Sequence, residues 1–328
     1  MARHPIVPPI ALAAILGLGS VLARPAPVPA APADPVAVIA AVKGRVDIGS
    51  SHGGPLQRAV FGRALERGDR VTVAAGGAAT LFFNDGNVIE VAEKSSLTVS
   101  GRVGGKPAAG PASGLPGEVY ASVTRFVAGG SRETGLVAGS ALRGTDQAPI
   151  QLAPRRTAVL TDKPSFAWRA VEGATRYRVS VSSADKGDLW TREVAGLSIG
   201  WPADAAGIAA GDYLWEIEAF ADARSLRKES SVFSALEPAK AATIRGNLDR
   251  IRDTAGGSDS PAARYLAGSY LSGLGLYQDA TEQFGALCRL SPSSPAPHEA
   301  LGNVYTKVGL MELAAAEFKQ ALALTGEP

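Results

Sequence analysis

Three histidines, at positions 4, 52 and 298, and one cysteine, Cys288, are the whole supply of imidazole and thiol in 328 residues. A nucleophilic triad built on imidazole has few ways to form from them, and no two stand at the short spacing that sets metal ligands on one turn or helix face. The 38 glycines produce scattered Gly-rich stretches, none with the pattern of a phosphate loop or a dinucleotide fingerprint. Carboxylates are numerous and glycosidase chemistry needs only two, so an acid/base pair stays open, but no Asp or Glu is marked out by its neighbours. These residues predict no catalytic centre, no metal site and no cofactor. A single Cys also forbids an intramolecular disulfide, so burial must hold the folds, with Cys288 read as an apolar residue of a helix.

The composition limits what those folds can be. Hydrophobic residues make up 46% and charged residues 20%, which fits neither wholesale disorder nor a multispanning membrane protein. Lys plus Arg total 33 against 31 for Asp plus Glu, without a run of like charge, so no nucleic-acid footprint is present. The length suits two or three domains. Arg3 and His4 precede an apolar run over 10–23, short for about 30 Å of hydrocarbon but suited to a signal-peptide core, with Val21-Leu22-Ala23 as the cleavage site. Residues 1–23 are expected to be removed on export. The alternative is an uncleaved anchor, because Ile6 and Val7 extend the apolar stretch across Pro8 and Pro9, and only then would the chain touch a membrane. Either way the expected location is the periplasm or cell envelope. Residues 24–35 alternate Pro with small residues and read as a semi-rigid spacer.

From 36 to 99 short β-branched runs, at 36–42, 46–48, 71–73, 80–83, 88–91 and 97–99, are separated by Gly and Asp and predict strands. Asn84-Asp85-Gly86-Asn87 lies between two of them, and Gly86 supplies the positive φ a tight reversal needs. Residues 65–91, with Gly68-Asp69 before one strand and Asp85-Gly86 between two others, resemble the FecR domain, as does Val42-Lys43-Gly44-Arg45-Val46. The likeness extends through 119–127 to Leu142-Arg143-Gly144-Thr145, where related domains carry an Arg-Gly-Thr before a last strand. It implies an all-β domain over 36–150. In the founding regulators of that family this domain is periplasmic, behind a transmembrane helix and a cytoplasmic sigma-factor-binding domain. Nine residues precede the apolar segment here, so the resemblance carries over the module and its compartment rather than the regulatory circuit.

All four Trp, at 168, 190, 201 and 215, fall in a second region with its own strand pattern. Residues 164–168, 177–181 and 213–219 alternate apolar with small or polar side chains, with turns at Gly173 and Gly211-Asp212. The layout over 151–236 resembles a fibronectin-III or immunoglobulin-like β-sandwich without its disulfide. Its rings either fill the core or line a carbohydrate platform, with Trp190 and Trp201 as the candidates for exposure.

Self-comparison of the last third pairs Gly268 with Gly302, Gly275 with Gly309, Ala280 with Ala314 and Phe284 with Phe318, each 34 residues apart. Residues 261–328 thus resemble two tetratricopeptide (TPR) repeats, all-α helical hairpins whose small residues let helices approach. Two repeats bury little surface alone, and Ile244, Leu248 and Ile251 mark a helix over 239–253, within the linking segment 237–260, that packs on the first. The family's usual ligand face, the concave side of each first helix, implies Tyr265, Ser269, Ser272, Glu299, Asn303 and Thr306 as partner-binding residues. Ordinary solvated helix surface is the alternative for all six. The whole predicts a multidomain, non-catalytic envelope scaffold, with protein partners at the repeats and envelope or cell-wall glycan contacts at the β modules. A FecR-type sensor acting through a separate signalling partner and an unrecognised hydrolase are the alternatives.

Overall fold

A computed structural model describes residues 35–100, 114–140 and 148–325, with side chains of the helix at 117–140 placed as far as 129. The expected signal at 1–23, nearly all of the spacer and Leu142-Arg143-Gly144-Thr145 lie outside the described residues. The architecture is an N-terminal β region over 37–235 followed by a helical region over 238–325. Residues 34–328 form one compact unit.

The first eight strands are β1 (Ala37–Lys43), β2 (Val46–Gly49), β3 (Gln57–Arg58), β4 (Ala64–Leu65), β5 (Arg70–Val73), β6 (Ala78–Phe83), β7 (Val88–Val91) and β8 (Ser96–Thr98). They make two four-stranded sheets in the orders β4-β1-β6-β7 and β3-β2-β5-β8. The expected reversal between β6 and β7 is present: Gly86 has φ +86°, and Asp85 accepts from Asn87 N at 3.1 Å and from its side-chain amide at 2.9 Å. Ala37, Ile39, Leu81 and Phe83 join Val46, Ile48, Val71 and Val73 in a core between the sheets. Successive strand residues face opposite ways, so Val38, Ala40 and Phe82 leave by the other face. They too are buried, in a different core.

That second core begins with a correction. The stretch expected to continue an all-β module to 150 contains a 24-residue helix, α1 (Gly117–Ser140). The resemblance placed 119–127 in the β domain, but Val119, Val123, Phe126 and Val127, spaced by three and four, make one helical face.

The next strands are β9 (Gln151–Ala153), β10 (Thr157–Val159), β11 (Phe166–Trp168), β12 (Arg176–Ser183), β13 (Gly187–Val194), β14 (Ser198–Ile199), β15 (Gly211–Ala221) and β16 (Arg224–Ala235). They form a five-stranded sheet, β10-β16-β15-β12-β13, and a three-stranded one, β14-β11-β9. Their shared core holds Phe166, Trp168, Tyr177, Val179, Val181, Trp190, Trp215, Ile217 and Phe233. Trp190 is a second correction. It is buried because β13 places it opposite Val181, with its ring edge-on to Phe166 at 5.5 Å. Trp201 is half-buried, and its indole N–H donates to the Ala206 carbonyl at 3.1 Å.

Five helices follow: α2 (Pro238–Thr254), α3 (Pro261–Gly273), α4 (Tyr277–Leu290), α5 (Pro295–Lys307) and α6 (Met311–Thr325). The starts of α3 and α5 are 34 residues apart, as are those of α4 and α6. The contacts repeat too. A Cβ on Gly268 would stand 2.7 Å from the Phe284 ring, and one on Gly302 would stand 2.8 Å from Phe318, so each helix pair closes at a glycine. The expected packing helix is α2, with Ile244 and Ile251 buried.

Candidate functional site

The six residues expected to line an open groove lie on α3 and α5, and α1 lies across both helices. Tyr265, Ser269, Ser272 and Asn303 are buried, while Thr306 is half-buried and Glu299 is exposed. The face is occupied by the chain's own helix, a correction to the expectation of a free surface.

The docking of α1 is close. A Cβ on Gly273 would fall 2.7 Å from the Ser122 carbonyl oxygen, so glycine here admits one backbone against another. Phe126 stacks on Phe284 with centroids 5.3 Å apart and planes 21° apart. The Arg125 guanidinium donates to the Gly273 carbonyl at 3.2 Å. At the start of the helix Glu118 accepts from the Asn247 amide at 2.5 Å, and the same amide donates to the Tyr270 hydroxyl at 2.8 Å. These bonds satisfy the buried Asn247. From the β side, Phe61 tilts onto Tyr265 at 5.8 Å, and Gly62, at φ +75°, sits where any side chain would strike the Tyr265 hydroxyl.

Between the 60–64 turn, α1 and the two repeat helices is a cavity of about 390 Å³, lined in part by Phe61, Phe126, Tyr265, Glu299 and Asn303. Partial desolvation against the cavity wall holds the Glu299 carboxyl above the usual carboxylate range, and full burial pushes the Tyr265 phenol up. Asn303 Oδ1 is buried without a hydrogen-bond partner among the described residues. Of the six expected residues, Tyr265, Glu299 and Asn303 are thus brought together, Ser272 lines a neighbouring cavity of about 240 Å³ with Asn303 and Lys307, and the Thr306 hydroxyl donates back to the Gly302 carbonyl at 3.0 Å.

A second cluster was not legible from sequence spacing. Cys288 on α4, His298 on α5 and Glu317 on α6 offer ligand atoms that all lie within 4.8 Å of one another. His298 Nδ1 is 2.7 Å from Glu317 Oε2 and 3.8 Å from Cys288 Sγ. Burial, then the Glu317 charge, pushes the thiol up to about 11. A nucleophilic relay needs nucleophile and orienting carboxylate on opposite ring nitrogens. Here both approach Nδ1, so the three groups do not have the geometry of such a relay. The signal that could have found it is the repeat itself: position 298 corresponds to 264 and position 317 to 283.

No protein-family model matches the chain, and no curated protein matches it.

Proposed function

We propose that this chain is a non-catalytic binding and scaffold protein of the cell envelope, built from a FecR-like module, a sandwich of the fibronectin-III or immunoglobulin-like kind and two TPR-like repeats. Support for the repeats is the doubled glycine–phenylalanine contact at a 34-residue interval. Support for a binding role rests on one observation: the inner face of α3 and α5 holds an amphipathic helix, α1, by an apolar stripe and close backbone approach. Helix-in-groove recognition works by such anchors at intervals of three and four. A partner helix of an envelope protein would use the same face by taking the place of α1, and the adjoining cavity offers Glu299 and Asn303 to its N–H donors. The β modules are the candidates for envelope or glycan contact.

The test is a labelled peptide of residues 115–129, added to the intact chain and to a Phe126→Ala variant whose own helix is held less firmly. Binding to the variant, and little or none to the intact chain, is expected. A pull-down from envelope extract and a parallel incubation with purified cell-wall glycan complete it. If neither protein takes the peptide and neither envelope protein nor glycan is retained, the binding reading is wrong. Turnover of a glycan or peptide bond, lost on replacing one Asp or Glu, overturns the non-catalytic reading.

A further inference from the structure

The two helix pairs carry the same bridge with different chemistry. In the first, Arg264 on α3 donates to Gln283 on α4 at 2.8 Å. At the corresponding places of the second, 34 residues on, are His298 on α5 and Glu317 on α6, 2.7 Å apart. Arg and Gln do not ligate metals at neutral pH, whereas imidazole and carboxylate do. Cys288, near the end of the preceding helix, adds a sulfur to the second bridge alone.

We propose that Cys288, His298 and Glu317 form a binding site for a borderline divalent transition metal, of which Zn²⁺ is the type, that pins α4, α5 and α6 together across the junction of the two helix pairs. Sulfur, nitrogen and carboxylate oxygen in one set suit such an ion rather than Mg²⁺ or Ca²⁺, which take oxygen ligands. The geometry is near what the ion requires. Tetrahedral bonds of about 2.3 Å to sulfur and about 2.0–2.1 Å to nitrogen and oxygen put sulfur and nitrogen about 3.6 Å apart and nitrogen and oxygen about 3.3 Å apart. The thiol is already 3.8 Å from Nδ1, and Glu317 must retreat by roughly half an ångström from its present 2.7 Å. Both ligands converge on Nδ1, the arrangement that fails as a relay and suits a shared cation. On binding, the thiol proton and any proton between His298 and Glu317 leave to solvent. The His298 and Glu317 side chains are 16% and 25% exposed, so an ion can enter, and water takes the fourth position.

The full chain, stripped of metal by a chelator, is titrated with Co²⁺ alone. The expected result is a thiolate-to-cobalt charge-transfer absorption saturating at one equivalent, reversed by Zn²⁺, with a rise in melting temperature on Zn²⁺ addition. Cys288→Ser abolishes the band. The double substitution His298→Arg with Glu317→Gln restores the bridge of the first helix pair, so it keeps the helical circular dichroism while weakening Co²⁺ binding by more than about tenfold. No thiolate band in the unmodified chain, cobalt bound without one, or an undiminished band in the folded double variant would each overturn the site.

Discussion

The two β modules are built on similar strands yet are held in the molecule differently. β12 buries Tyr177, Val179 and Val181 and turns Arg176, Arg178 and Ser180 outward, so its sheet serves a single core of its own. β1 has no such polar face. Val38 and Ala40 go to the helices while Ala37 and Ile39 go to the neighbouring sheet. Attachment follows the same division. The middle module reaches the helices through Ala158, Leu160 and Leu236 at their margin and through polar contacts, such as Arg155 donating to the Val308 carbonyl at 2.9 Å and the Tyr277 amide donating to the Thr157 hydroxyl at 2.8 Å. The first module inserts Phe61 and Phe82 into the core shared by α1–α5. A strand buried on both faces makes its module part of whatever covers it; one buried on a single face leaves its module self-contained.

The sharpest way to break this comparison is Phe82→Ala. Phe82 is fully buried and packs edge-on to Tyr120 of α1 at 5.3 Å. Its loss should cost about 3–5 kcal/mol in a transition shared by the first module and the helices. All four Trp lie between 168 and 215, so tryptophan fluorescence follows the middle module while far-ultraviolet circular dichroism at 222 nm follows the helices. The helical melt should fall and the fluorescence melt should stay; a parallel fall of both would show that the middle module is not self-contained.

Gly268→Leu should come next, at about 1–3 kcal/mol, because its Cβ meets the Phe284 ring at 2.7 Å. Phe284 also stacks on α1, so protease sensitivity near 126 should rise together with the loss of helical stability. Ile217→Val, inside the middle core at 0% exposure, is the reverse control. It should cost about 0.5–1.5 kcal/mol and move the fluorescence transition alone.

The smallest effect expected is a pH dependence confined to the helices. Burial, then the Glu282 charge, raises the Asp279 carboxyl from 3.8 to about 6. Because the folded value is the higher, the stability this group confers is fully present below about 3.8 and is lost as pH rises through about 6. Asp279 keeps some solvent access, so screening reduces the change to about 1 kcal/mol. Asp279→Asn should flatten that slope in the helical melt between pH 4 and 7 and leave the fluorescence melt untouched.

Much of the local structure could be read from residue order. The hairpin at Asn84-Asp85-Gly86-Asn87, strands β1, β2, β5, β6, β7 and β8, and the α2 packing helix follow from period and turn chemistry, which act over a few neighbouring residues. The 34-residue interval made Gly268 equivalent to Gly302 and Phe284 equivalent to Phe318, and the glycines marked where helices approach. Even the sharing of β1 was written there, since 36–42 is an unbroken apolar run where β12 alternates. What misled was the resemblance, which carried an all-β module through 119–127, although the intervals of four between Val119, Val123 and Val127 are helical.

The amino-acid sequence alone determined the β-then-helical order, the spacing of the repeated helix contacts and the residues that face inward on each repeat helix. Only the tertiary structure decided what those inward faces meet. Tyr265, Ser269 and Asn303 could have lined an open groove; they are buried where α1, more than 120 residues earlier in the chain, packs on their two helices and Phe61 closes over Tyr265. Cys288, His298 and Glu317 sit on three helices whose crossing, not their separation along the chain, brings their ligand atoms within 4.8 Å. Local rules govern a residue and its near neighbours, while the partner of a buried face is chosen by the packing of the whole chain. That packing is driven chiefly by the apolar area it removes from water, a quantity that carries no record of distance in sequence.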